Sequence, residues 1–291
     1  MGKSRKQRAP RLAYESEEFM TGLVARPLRI LAEYFDPLRR LREQNVGDTI
    51  VMFGSARILS RERALALLRR AKKGQMTPSR KQRVREAHRA VEMSRYYDEA
   101  RELARRITAW SLTLGTNPRR FVICSGGGPG IMEAANRGAM EAGGKTLGMN
   151  IQLPSEQAPN PYISPELNLN FHYFFMRKLW FTQLAKALIV FPGGFGTMDE
   201  LFEALTLLQT GKVRGITVVL VGRAFWERLV NWPMLVEEGL VSPEDLHLLH
   251  YAETAQEAWD IIASAQQVPP SQLPPDPPPA RRSIDAQAVR D

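Results

Sequence analysis

Two stretches of this chain constrain its fold more than any other. Residues 187–207 read ALIVFPGGFGTMDELFEALTL, and residues 121–139 read FVICSGGGPGIMEAANRGA. Each passes from an apolar run, through a glycine-rich turn, into a helix-forming stretch. A strand, a tight turn and a helix start in that order leave the first helical N–H groups without internal partners. The helix dipole adds partial positive charge there, and a phosphate is well held at such a place. The spacing predicts that Gly193, Gly194 and Gly196 take up positive φ and let a ligand approach the backbone. Thr197 is expected to cap the helix. Asp199 and Glu200 are expected within its first turn. Carboxylates beside a phosphate cradle point to chemistry on a nucleotide.

A third apolar run, TIVMFGSAR at 49–57, also ends in small residues. Gly54 and Ser55 there join Gly127 and Gly128 of the second turn as candidate binding positions. Three strand ends of this kind predict one crevice at the carboxyl edge of a parallel sheet. Two better-known nucleotide motifs are absent. GGGPGI fails the dinucleotide pattern G-x-G-x-x-G, because Ile131 stands at the third glycine position. Gly144-Lys145-Thr146 resembles the end of a P-loop, but Ala139 occupies the position of its first glycine.

The chain has 291 residues, 44% of them hydrophobic, which is enough for a sizeable core. Its one cysteine, Cys124, excludes an internal disulfide framework and fits a reducing cytoplasm. Cys124 ends a buried strand and is read as a core residue. The basic start MGKSRKQRAPRL has no apolar run behind it and is not read as a secretory signal. No stretch is long and apolar enough to predict a membrane span. The four histidines show no ligand spacing, so no metal is expected. His247 and His250 are read as surface or packing residues on a helix.

Net charge is concentrated. Residues 61–95 hold twelve basic and three acidic residues, a surplus equal to the +9 of the whole chain. Such a face can attract nucleic acid, but aromatic interleaving is missing until Tyr96 and Tyr97, and the segment is read as a solvated helical insertion.

The pattern along the chain predicts an α/β fold: a Rossmann-like, doubly wound parallel sheet with helices on both faces. Residues 1–45 form an N-terminal helical arm, with helices around 17–43 broken at Pro27 and Pro37. Residues 46–264 form the nucleotide-binding domain, interrupted by the basic insertion 59–95, itself split near Gly74–Pro78. Within the domain, helices are expected at 96–114, 131–142, 176–186, 198–210 and 224–238, with strands at 49–53, 121–124, 146–150, 168–173, 187–191 and 216–221. Residues 265–291 form a tail, rich in proline between 269 and 279, expected to be extended or disordered.

Taken together, GSAR at 54–57, SGGGPGIMEAANRGA at 125–139, FMRK at 175–178 and PGGFGTMDE at 192–200 resemble the LOG family. Its type members are cytokinin riboside 5'-monophosphate phosphoribohydrolases, and many members carry the label lysine decarboxylase. The similarity spans about residues 46–262. The arm and the basic insertion resemble longer bacterial forms, several of which hydrolyse AMP. The resemblance implies hydrolysis of the N-glycosidic bond of a purine nucleoside 5'-monophosphate, AMP-like or a cytokinin riboside monophosphate. It implies Arg177 and Glu200 as the catalytic pair, Met176 and Lys178 as neighbouring binding residues, and Asp199 as an alternative carboxylate. It further implies no cofactor and a homodimer or higher homo-oligomer. The competing expectation is a non-catalytic Rossmann module of the DNA-processing or molybdenum-cofactor-carrier type. A decarboxylase would need a cofactor-bound lysine, and neither Lys178 nor Lys186 sits in a recognisable cofactor motif.

Overall fold

Strand Thr49–Phe53 (β1) is buried along its whole length and forms the middle of the sheet. Its β-branched and apolar side chains alternate between two cores: Ile50 and Met52 face one layer of helices, Val51 and Phe53 the other. In the computed structural model, which describes residues 11–74, 77–154 and 158–267, β1 pairs in parallel with Val122–Ser125 (β2) and with Ala185–Val190 (β5). Strands Thr146–Ile151 (β3) and Asn168–Phe171 (β4) extend the sheet beyond β2. Strands Thr217–Val221 (β6) and Leu249–Ala252 (β7) extend it beyond β5. The order is β4-β3-β2-β1-β5-β6-β7, all parallel. The fold is the expected Rossmann-like doubly wound sheet, and the direction of winding reverses between β1 and β5. That reversal opens a crevice at the carboxyl ends of these two strands.

One face is covered by Arg95–Thr113 (α5), Ile131–Glu141 (α6) and Ala255–Ala265 (α11), with Trp110 and Trp259 stacked edge to face at 5.3 Å. The other face carries Arg26–Glu43 (α2), Phe174–Gln183 (α7), Phe195–Gln209 (α8), Arg223–Leu229 (α9) and Trp232–Glu237 (α10). Trp180, Trp226 and Trp259 are fully buried. Truncating any one of them to alanine costs about 3–5 kcal/mol. No helix among the described residues is long and apolar enough to cross a membrane.

Several boundaries differ from the sequence pattern. In the arm, a short helix Glu17–Thr21 (α1) precedes α2. Pro27 opens α2 instead of breaking it, because its missing N–H is one the first turn would leave unpaired anyway. Pro37 lies inside α2 and is buried. It cannot donate to the carbonyl of Glu33 four residues back, and the Trp180 indole N–H donates to that carbonyl instead, at 3.3 Å. The Glu33 carboxylate in turn accepts the backbone N–H groups of His172 (2.7 Å) and Tyr173 (3.2 Å), at the entry to α7. The helix expected through Lys186 ends at Gln183, and β5 begins at Ala185. The single helix expected over 224–238 is two, α9 and α10, parted where Asn231 caps the second. His247 lies in a 3-10 turn and His250 in β7, so the two do not share a helix. β7 and α11 are not in the sequence reading.

Between β1 and α5, Arg61–Ala71 (α3) and Pro78–Met93 (α4) form a helical hairpin. Its basic residues are not all solvated. Arg80 is buried and donates from Nε to the Ala71 carbonyl at 2.8 Å. Arg63 reaches the buried Glu133 of α6 at 3.2 Å. The proline-rich tail expected beyond residue 267 lies outside the described residues.

Candidate active site

Three loops leave the carboxyl ends of β1, β2 and β5 and are laced together by their backbones. The Ser55 N–H donates to the Pro192 carbonyl at 3.0 Å, and the Ile131 N–H donates to the Ser55 carbonyl at 3.2 Å. Ser55 therefore ties the first loop to both glycine-rich turns. A side chain at Gly54 would collide with Ile131 at 2.7 Å, so that glycine allows α6 to close against β1. At Gly130, φ is +71°, and an added Cβ would lie 2.3 Å from the Ser55 carbonyl. Only glycine allows the two loops to approach so closely.

The β2 turn is held from beneath by a polar network that the motif reading missed. Ser125 donates to Asn136 at 2.7 Å, and the Asn160 amide donates to Asn136 at 2.9 Å and to the carbonyls of Gly127 and Gly128 at 3.0 Å each. The Gly127 N–H donates to Ser125 at 3.1 Å. Asn136 and Ser125 are fully buried, so each depends on these partners. Asn136 lies within the stretch 125–139 that carries the turn, but Asn160 is separated from it in sequence, and no local pattern signals its role. Nearby, the buried Glu133 accepts from the Tyr97 hydroxyl at 2.9 Å. Burial chiefly pushes that phenol up to about 12.

The β5 turn differs from expectation in two ways. Gly193, Gly194 and Gly196 do not have positive φ. Gly193 is needed for another reason: a Cβ there would lie 2.1 Å from the Thr197 hydroxyl. At Gly194 and Gly196 nothing lies within 4 Å of where a Cβ would be, so the backbone is bare toward the crevice. Helix α8 also starts three residues early, at Phe195, with Gly194 as its N-cap and no side-chain cap. Thr197 therefore sits inside the first turn and is buried, not at the cap. For the same reason Asp199 and Glu200 fall in the second turn, not the first.

The α7–α8 contact puts the two carboxylates in different surroundings. Arg177 of α7 meets Glu200 of α8 at 3.3 Å, and both side chains are largely buried. The Arg177 guanidinium lies 5.2 Å from the Phe174 ring and 5.5 Å from the Phe181 ring. Its Nε is buried with no hydrogen-bond partner among the described residues. The surroundings of Glu200 are apolar, with Phe53, Phe181, Ala204 and Ile216 around it. Burial is the main cause that pushes its carboxyl up to about 7, against the pull of Lys178 and Arg177. Burial likewise lowers the pKa of Arg177 against the pull of Glu200 and Asp199. A carboxyl near neutrality beside a poorly solvated guanidinium can exchange a proton at physiological pH.

Asp199 is more than half exposed and pairs with Lys178 at 2.8 Å. Lys178 also meets Glu203 at 2.6 Å and Glu200 at 3.9 Å. Burial opposes its charge, but the hydrogen bonds to Asp199 and Glu203 hold its pKa above the ordinary value. Its ammonium thus faces three carboxylates, which leaves it little to offer a phosphate. Met176 is buried in the core with Trp180 and Phe181. An open groove of about 520 Å³ runs beside the pair, lined by Lys178, Phe195, Asp199, Phe202 and Glu203 among others. Cys124 is fully buried, and burial raises its thiol pKa, so it is not a nucleophile. Among the described residues, no group of three or more His, Cys, Asp or Glu side chains is arranged to hold a metal ion.

Comparison with known proteins adds an independent line. A family model described as "possible lysine decarboxylase" matches residues 132–262. A probable cytokinin riboside 5'-monophosphate phosphoribohydrolase of Oryza sativa subsp. japonica is 26% identical over 178 residues, covering 57% of this chain and 75% of the relative. A cytokinin riboside 5'-monophosphate phosphoribohydrolase of Arabidopsis thaliana is 25% identical over 170 residues, with 57% and 75% covered. Among solved structures, the molybdenum cofactor carrier protein of Chlamydomonas reinhardtii aligns over 76% of this chain and 96% of its own, at 19% identity and a TM-score of 0.37. The molybdenum cofactor binding protein of Rippkaea orientalis aligns over 74% and 94%, at 17% identity and a TM-score of 0.41.

Proposed function

We propose that this chain, which belongs to the LOG family, hydrolyses the N-glycosidic bond of a purine nucleoside 5'-monophosphate to free base and ribose 5-phosphate. The observation that carries the reading is the buried Arg177–Glu200 pair, at 3.3 Å, with a carboxyl raised to about 7. A storage or carrier site gains nothing from a carboxyl poised near neutral pH. A hydrolase does.

The chemistry follows from the groups present. The 5'-phosphate lies against the bare backbone of Gly194 and Gly196 at the start of α8, where free N–H groups and the helix dipole favour an anion. The C1'–N bond breaks heterolytically, its electron pair leaves with the base, and positive charge develops on the ribose. The Glu200 carboxylate stabilises that charge, as carboxylates do in glycoside hydrolysis. Water then adds to C1', and its proton passes to Glu200. The departing base takes up a proton from solvent. Arg177 holds Glu200 in place, and its unpaired Nε–H is available to a ribose or phosphate oxygen. AMP is the simplest substrate of this class. A cytokinin riboside monophosphate, named in the relatives, differs at the base, away from the reacting bond.

The exposed apolar side chains Phe195 and Phe202, which line the groove, support a homodimer in which a second copy covers this face. Light scattering of the purified protein reads its mass directly. The test of the activity is incubation with a panel of nucleoside monophosphates, with free base and ribose 5-phosphate measured together. Release of neither product from any of them would refute the reading.

A further inference from the structure

Lys178 follows Arg177 on α7, and successive residues of a helix point about 100° apart. The two cations therefore reach one carboxyl from different sides. Arg177 meets Oε1 of Glu200 at 3.3 Å, and the Lys178 ammonium faces Oε2 at 3.9 Å. The second contact is too long for a hydrogen bond and acts through charge. The hydrogen bonds of Lys178 go to the neighbours of Glu200 on α8: Asp199 at 2.8 Å, one residue before it, and Glu203 at 2.6 Å, almost one turn after it. The ammonium is thus held on both sides of the carboxyl it faces.

This arrangement has an electrostatic consequence. Burial dominates the Glu200 carboxyl, and among the charges that oppose burial Lys178 pulls hardest, ahead of Arg177. An ammonium is a compact charge, whereas a guanidinium spreads its charge over a plane. Glu203 and Asp199 push the other way. Among the described residues, these four are the charged side chains that face Glu200; β1, β5 and the approach to β6 present Phe53, Leu188 and Ile216. Lys178 also covers the charge of Asp199 and of Glu203. Without it, Glu200 would keep one cation in place of two and would lie between two bare carboxylates. Lys178 itself stays charged while Glu200 titrates. Burial opposes its charge, but Asp199 and Glu203 hold its pKa above the ordinary value.

A role in gripping the substrate phosphate would need ammonium hydrogens that Asp199 and Glu203 already take. We propose that Lys178 is a positioning residue, which keeps the Glu200 carboxyl ionised near neutral pH through charge and is not a ligand of the substrate phosphate. The proposal rests on Glu200 as the working carboxylate of the hydrolysis. That group has to be ionised to stabilise positive charge on the ribose and to accept the proton of water.

The test follows the carboxyl itself. In the full chain with isotope-labelled glutamate carboxyls, the Glu200 resonance is the one lost in Glu200→Gln, and NMR reads its titration midpoint. Lys178→Gln can still hydrogen-bond to Asp199 and Glu203 but carries no charge. It should raise the midpoint by about 1–3 pH units, as loss of a close opposite charge does. Lys178→Arg, which keeps the charge, should leave it near the wild-type value. Glu203→Gln, at a half-buried position, removes a like charge and should lower it. The rise of kcat/KM with pH for AMP should move with the midpoint, so that Lys178→Gln loses about tenfold or more at neutral pH and recovers in alkali. A midpoint unmoved in Lys178→Gln would overturn the proposal. So would a KM for AMP raised equally at every pH with the rise in kcat/KM unmoved, the mark of a phosphate ligand. If Lys178→Gln does not fold, Glu203→Gln decides, and a midpoint that fails to fall there overturns the proposal. Midpoints that move as expected in a protein that releases no base from any nucleoside monophosphate would support the role of Lys178 and remove only the hydrolase reading.

Discussion

Glu200→Gln should make the protein less active and more stable, and the two effects have one cause. In the fold the Glu200 carboxyl is pushed up to about 7, from an ordinary 4.5, chiefly because burial penalises its charge. The protonated form is therefore the one the fold prefers. Its contribution is fully present below pH 4.5 and is lost as pH rises through about 7, because the unfolded chain ionises freely and the native one must ionise in a dry site. At 1.36 kcal/mol per pH unit, the gap between the two values amounts to a penalty on the order of 3 kcal/mol above neutrality. Glutamine resembles the protonated acid in shape and carries no charge, so it removes that penalty. In a chain of this size the gain is about 5–10 °C in melting temperature. Paired melts of wild type and variant at pH 4 and pH 8 read it: the two should coincide at pH 4 and separate at pH 8, with the variant higher. Turnover should fall by a factor on the order of 10², and wild-type kcat/KM should rise between about pH 6 and pH 8 as the carboxylate forms. A variant that melts no higher than wild type at pH 8, or one shifted equally at both pH values, would refute the argument that burial outweighs the Arg177 pair.

Asp199→Asn should retain turnover within a few-fold, because Asp199 is exposed and occupied with Lys178; an inactive Asp199 variant beside an active Glu200→Gln would transfer the catalytic role. AMP should be cleaved faster than adenosine by a factor on the order of 10², since binding energy at the remote phosphate drives the reacting end; equal kcat/KM for the two would remove the phosphate cradle from the account. Reversing the exposed charges Lys81, Arg83 and Arg85 to glutamate should leave turnover within a few-fold and change only salt-dependent association; a collapse of turnover would mean that the hairpin reaches over the crevice. Glu33→Ala leaves the N–H groups of His172 and Tyr173 without their acceptor and should cost about 1–3 kcal/mol in urea denaturation, with kcat reduced more than KM is raised, because α7 carries Arg177.

What the sequence disclosed was whatever is written locally. Apolar runs ending in glycine located β1, β2 and β5 and the crevice they share, because strand, turn and helix start are all near neighbours in the chain. The motif at 192–200 brings out both candidate carboxylates and favours Glu200 only by its place at the motif's end. What tells them apart is burial in the α7–α8 contact, where Glu200 is buried and Asp199 is exposed beside Lys178. The glycines at 193, 194 and 196 were credited with positive φ, whereas one makes room for the Thr197 hydroxyl and the other two leave open space. Neither reason has a signature in the chain. Asn136 and Asn160, which support the β2 turn, act across 24 residues of sequence, and β7 was hidden because LHYA is too short and too polar on one side to stand out. Arg80 was counted with a basic face, yet its head group is buried against the Ala71 carbonyl, which composition alone does not reveal.

A helix lying on an apolar neighbour can often slip by a turn and find contacts nearly as good. The arm helix α2 has lost that freedom through a single residue. Pro37 cannot donate to the carbonyl of Glu33 four residues back, and the Trp180 indole N–H meets that carbonyl. A slip of one turn, about 5.4 Å, would leave that carbonyl and the buried indole N–H both unpaired. It would also carry the Glu33 carboxylate away from the start of α7. The proline thus works as a registration mark. It favours one alignment of the arm against the helix that bears Arg177, and so the placement of that helix is set in part by a residue in the first forty of the chain.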